Sequence, residues 1–156
     1  MRIRLADWQF EVDVAATAAH TTKNAMDHCL CGYCKNYYEA VEAVYPELVS
    51  YLRQFGIHIH GPSELMPFEP TLFLACYRVQ GQICTWGKEN LSSCGISVMP
   101  EAADDNSFFL WVGELRLPWL QEEPMEDVIS PANLPEFLER MQEMWFLRHG
   151  EDIIFS

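Results

Sequence analysis

Apolar residues alternate with polar ones between Ile3 and Val14, at Ile3, Leu5, Trp8, Phe10, Val12 and Val14, with one slip near Asp7. A period of two is that of a strand with one buried face, and the slip leaves room for a hairpin. The stretch from Ala15 to Asp27 is small and polar and holds no period, so it is expected to be a loop. From Lys35 the pattern changes. Tyr37, Val41, Val44, Leu48, Leu52 and Phe55 recur at intervals of three and four, which is the spacing of one face of a helix. Pro46 has no N–H and crowds the turn before it, so two helices are expected to meet near Tyr45, with Pro46 in the first turn of the second and Gly56 just past its end.

The segment after Gly61-Pro62 contains Pro67 and Pro70 and is expected to be a loop. Thr71 to Val79 is apolar on both faces, as in a central strand covered on both sides. Gln80-Gly81 is a turn signal, and Gln82 to Trp86 would return antiparallel. Strands over Cys94 to Met99 and Ser107 to Leu117 follow, separated by an acidic turn from Glu101 to Asn106. Asn133 with Glu136 three residues on has the form of a capping box, and Leu134, Phe137, Leu138, Met141, Met144 and Trp145 trace the stripe of a last helix. The expectation is a single α+β domain over residues 1–156. It would hold a mostly antiparallel four- to five-stranded sheet with two or three packed helices.

At 156 residues, 49 % hydrophobic and 21 % charged, the chain can bury a core and is not of disordered composition. Its net charge of -13 repels phosphate backbones and anionic membrane surfaces. No nucleic-acid or membrane partner is expected. No apolar run of signal-peptide length follows Arg2 and Arg4, and no window approaches the roughly 18 apolar residues of a membrane span. A cytoplasmic location is the expectation, and there the six cysteines are read as thiols, small packing residues or metal ligands rather than a disulfide framework.

Three readings compete for the cluster from His28 to Tyr38. Cys31 and Cys34 have the Cys-x-x-Cys spacing that points two sulfurs at one zinc ion, and Cys29, His28, His58 and His60 are the candidates to complete a site. The histidines at i and i+2 would share one face of an extended segment, although the interval from Cys34 matches no common finger pattern. A Cys-x-x-Cys opening a helix can instead serve thiol redox chemistry. The favoured reading is packing, with reduced and inert cysteines at the start of the helix and Asn36 tying the loop to backbone groups. No cofactor is then expected.

Cys31-Gly32-Tyr33-Cys34-Lys35-Asn36-Tyr37, followed by Tyr45-Pro46-Glu47-Leu48 and Leu52-x-x-Phe55-Gly56-Ile57, resembles an uncharacterised group of bacterial proteins. These carry Cys-x-x-Cys-x-Asn-aromatic before a helix, then a Tyr-Pro-Glu-like break and Gly-Ile. The likeness spans residues 31–57 and implies a bacterial origin and a one-domain protein, with no activity to carry over. Such proteins tend to continue with Asp and Pro, where this chain has His58-Ile59-His60.

Signatures of phosphate-binding loops, serine hydrolases, zinc proteases and dinucleotide folds are missing from the sequence. The pairs Asp104-Asp105 and Glu122-Glu123 lie in turn-like segments and read as solvated acids. Residues 101–156 hold three basic and thirteen acidic side chains, so most of the negative excess lies in the last third. There the segment Leu117-Pro118-Trp119-Leu120 sits among acids, the composition of a protein-binding patch, whereas Trp111 reads as core. The expectation is a non-catalytic interaction protein of the immunity or inhibitor type, engaging a basic protein partner. The contacting residues would be Glu114, Trp119, Glu122, Glu123, Glu126 and Asp127, with Glu136, Glu139 and Glu143 of the last helix. The alternative is a zinc-binding or thiol-redox protein using Cys31 and Cys34.

Overall fold

The computed structural model describes residues 1–27, 31–69 and 71–122, which all belong to the unit Met1–Met125. The expected helix from Asn133 lies outside the described residues. The fold is α+β. Among the described residues, seven strands form one antiparallel sheet in the order β1-β2-β4-β7-β6-β5, and β3 pairs with β4 beside β2. The strands are β1 (Arg2–Leu5), β2 (Trp8–Val12), β3 (Glu64–Glu69), β4 (Leu72–Thr85), β5 (Leu91–Ser93), β6 (Ile96–Asp104) and β7 (Ser107–Arg116). The helices are α1 (Val14–Met26), α2 (Gly32–Val44) and α3 (Pro46–Arg53). More strands are present than the four or five expected, because β3 and β5 carry no clear alternation and β1 and β2 are separate arms of a hairpin.

The hairpin lies where the slip falls, with Leu5 opposite Trp8. The break at Pro46 is also as expected: α2 ends at Val44, Pro46 opens α3, and Gly56 follows with φ +88°, a left-handed conformation that glycine adopts without strain.

Three expectations are corrected. Residues 15–27 are not a loop, since α1 runs through them with Asp13 as its cap, the carboxylate accepting the Ala16 N–H at 2.9 Å. Alanine favours helix, while the buried positions are Thr17 and Thr21, so the helix has no apolar stripe to read. It docks through hydroxyls instead. Thr17 Oγ1 accepts the Gln80 N–H, and Thr21 Oγ1 accepts the His58 N–H, each at 2.9 Å.

The proline-rich segment contains β3, an edge strand that tolerates Pro67 because its outer side needs no ladder bond. Gln80-Gly81 is not a turn either. β4 continues through it to Thr85, exchanging β7 for β2 as its partner. Gly81 is there for close approach: at φ +151°, an added Cβ would lie 2.0 Å from the Glu11 carbonyl oxygen.

The core lies between one face of the sheet and the helices. Phe10, Phe73, Tyr77, Phe108 and Leu110 from the strands meet Tyr37, Val41, Leu48, Leu52 and Phe55 from α2, α3 and the turn that follows α3. β4 is buried on both faces from Leu72 to Tyr77, as its unbroken apolar run implies. Trp111 is buried in β7, as expected of a core residue.

Candidate functional site

α2 begins at the cysteine cluster. Cys31 is its N-cap in extended conformation, and the Cys34 N–H donates to Cys31 Sγ at 3.5 Å, a weak version of the usual serine or aspartate cap. Cys31 is exposed and Cys34 half-buried. His28 and Cys29 lie outside the described residues. Two residues after Cys34 stands Asn36, which has no exposed surface. Its side-chain N–H donates to the Pro118 carbonyl at 2.9 Å, and its side-chain carbonyl accepts the Leu120 N–H at 2.7 Å. One amide therefore satisfies both backbone groups of a strandless segment, which side-chain caps do where no ladder is available.

Aromatic packing completes the joint. The Trp119 ring lies over Gly32 and 6.1 Å from the Tyr33 ring, and Gln121 donates to Glu39 of α2 at 3.0 Å. Asn36 was readable as a loop tie, but the segment it holds, eighty-odd residues downstream, was not.

Further along α2, Cys34, Tyr38 and Glu42 recur every four residues and so share one face. His60 packs its ring edge-on to Tyr38 at 5.7 Å, and its Nε2 lies 3.7 Å from a Glu42 carboxylate oxygen. His58 is exposed, its Nδ1 accepting the His60 N–H at 3.2 Å. Cys34 faces another group, a cleft of about 330 Å³ lined by Asn24, Asp27, Tyr38, Ser63 and Glu64. Among the described residues no three His, Cys, Asp or Glu side chains are grouped as a metal ion requires.

Beneath these groups, Tyr37 and Tyr77 are fully buried with their hydroxyls hydrogen-bonded to each other. Tyr77 donates its one proton to the Ile59 carbonyl at 2.5 Å, so Tyr37 must donate to Tyr77. Burial pushes both phenols well above the ordinary tyrosine value. They are held neutral and set the position of the 57–60 segment. No local pattern marks this pair, because its partners lie on different elements.

Of the acidic residues expected to meet a partner, Glu114 and Glu122 are exposed. Glu123, Glu126, Asp127, Glu136, Glu139 and Glu143 lie outside the described residues. Trp119 is half-buried against α2, and the exposed large apolar group of its segment is Leu120, with 51 % of its surface open. Asp105 is exposed, as read, whereas Asp104 is not simply a solvated acid: it ends β6, pairs with Arg78 and accepts the Asn106 N–H and the Ser107 hydroxyl. No helix among the described residues is long and apolar enough to cross a membrane. Comparison with protein-family models, curated proteins and solved structures finds no match to this chain.

Proposed function

We propose that this chain is a non-catalytic interaction protein, of the immunity or inhibitor type, that engages a basic protein partner through an acidic surface. The observation that supports the reading most is the setting of Leu120. It projects from a segment pinned by Asn36, beside Pro118, Glu122 and Glu39, all exposed. A fixed apolar anchor with a charged rim loses little conformational entropy on binding, and excess negative charge speeds encounter with a cationic surface. The test is association with a basic protein encoded beside this chain. Binding should weaken as salt rises, and Leu120→Asp combined with Glu122→Lys should reduce it at least tenfold. Salt-independent binding, or none, removes the reading.

A second reading has its own observation. Cys31 presents an exposed sulfur at the start of a thirteen-residue helix, with the Cys34 N–H directed at it. An accessible sulfur in that position is placed to serve as a metal ligand or a redox group. Metal analysis of the native protein, with thiol titration before and after denaturation, separates the two. One tightly held zinc equivalent that protects Cys31 from the thiol reagent favours the second reading, and a Cys31 thiol that reacts like the exposed Cys84 and Cys94, with no metal held, argues against it.

A further inference from the structure

β4 outruns β7. Gln80 pairs with Ser107, the first residue of β7, while residues 81–85 pair with β2 on the opposite edge. On the side that β7 leaves open, the β6–β7 turn lies alongside the extension, and Gln82 Nε2 donates to the Asp105 carbonyl at 2.8 Å. Between the two is a pocket of about 320 Å³ walled by Ile83, Trp86, Ala102, Asp104, Asp105 and Phe108. Phe108 is buried, whereas Trp86 keeps 55 % of its surface open and is supported by Trp8 at 5.6 Å. An indole left this exposed beside a concavity offers a ligand-sized apolar wall.

The charges at the pocket are unequal in availability. Asp104 accepts the Arg78 guanidinium, the Ser107 hydroxyl and the Asn106 N–H. The Asn106 backbone N–H, foremost among its neighbours, holds its carboxyl below the usual value. Asp104 is therefore ionised and already matched by Arg78. The Asp105 carboxylate is exposed and has no partner among the described residues. One unmatched negative charge and one open indole face remain.

We propose that this pocket takes the guanidinium of an arginine side chain, with the Trp86 ring against its plane and the Asp105 carboxylate as its counter-ion. This rests on the reading of a basic partner and adds a second point of contact. Arginine fits better than lysine because a planar, weakly hydrated cation stacks on an indole and binds carboxylate with two N–H groups. The same chemistry occurs next door within the chain, where Arg78 binds Asp104 with its guanidinium carbon 5.6 Å from the Phe109 ring centre.

The experiment is an NMR titration of the full chain with short blocked oligo-arginine, oligo-lysine and oligo-glutamate peptides, following the Trp86 indole N–H. Oligo-arginine should shift that signal saturably and more tightly than oligo-lysine, and oligo-glutamate should leave it in place. Asp105→Asn, an exposed turn substitution with no fold contact to lose, should weaken oligo-arginine about two- to fivefold. Trp86→Leu should weaken it by a similar factor of about two to five. If oligo-arginine binds while the Trp86 signal stays fixed, or binds Asp105→Asn unchanged, the pocket assignment is overturned and the acidic-surface reading stands. If no cationic peptide binds, both fall.

Discussion

The side-chain carbonyl of Asn36 accepts the Leu120 N–H at 2.7 Å, and the amide of the same residue donates to Pro118, so one buried side chain fixes a segment more than eighty residues away. Removing it leaves a backbone donor and acceptor without partners, which costs about 1–3 kcal/mol. Asn36→Ala should lower the urea midpoint accordingly and expose residues 117–122 to protease. Asn36→Asp keeps the acceptor but turns a carboxylate toward the Pro118 carbonyl, and should destabilise more than alanine does. Equal stability of all three proteins would mean that the clasp contributes nothing.

Cys31 as a cap makes a separate prediction. Cys31→Ser replaces the weak sulfur acceptor with an oxygen suited to the N-cap position and should leave stability unchanged or improved, while Cys31→Ala removes only that weak cap and should cost no more than about 0.5 kcal/mol, the low end for oxygen caps. If serine is as harmful as alanine in chemical denaturation, the sulfur has a role that capping does not describe.

The buried tyrosine chain is asymmetric. Tyr77→Phe strands the Ile59 carbonyl and the Tyr37 hydroxyl, costing about 1–3 kcal/mol for each unpaired group. Tyr37→Phe leaves the bond from Tyr77 to Ile59 in place and should cost only about 0.5–1.5 kcal/mol. Thermal or urea unfolding of the two variants reads the order directly, and the reverse order would contradict the donor assignment.

The same tyrosines set an alkaline limit. Burial raises Tyr37 and Tyr77 and pushes Tyr51 up to about 12 from 10.0. The folded state thus prefers neutral phenols. Their contribution is fully present below the unfolded value of 10.0 and is lost as pH rises through the raised folded values, about 12 for Tyr51 and higher for the fully buried Tyr37 and Tyr77. The last step of the tyrosinate absorbance, from Tyr37, Tyr51 and Tyr77, should therefore come together with loss of far-ultraviolet circular dichroism in that window. A tyrosinate titration that reaches completion well below it, with the fold intact, would contradict this.

Gly81→Ala should destabilise β4, because the new Cβ would meet the Glu11 carbonyl oxygen at 2.0 Å in a backbone conformation that alanine avoids. Hydrogen exchange should quicken at β2 and residues 81–85 before it does at β7. A variant as protected as the parent would argue against the close approach.

Legibility in the sequence followed the source of each signal. The β1–β2 hairpin and the doubly buried run of β4 were readable because their apolar patterns come from local packing, and the Pro46 break because proline cannot continue a helix. α1 was not, because Thr17 and Thr21 attach it through hydroxyls rather than an apolar stripe. Gly81 reads as a turn residue in sequence, yet it serves a contact with Glu11 that only the fold creates. At the candidate sites the residues were partly visible and their partners were not. Asn36 stood out within its motif, Pro118 and Leu120 belonged to another stretch, and the pocket beside Trp86 forms only when the fold brings up the β6–β7 turn with Asp105.

The most direct test of an acidic interaction protein is the rate of association with its basic partner across a range of ionic strength, measured by stopped flow. The rate should fall steeply with added salt and be slowed further by Glu122→Lys, with dissociation changed mainly by Leu120→Asp. An association rate indifferent to salt and to both substitutions would contradict it.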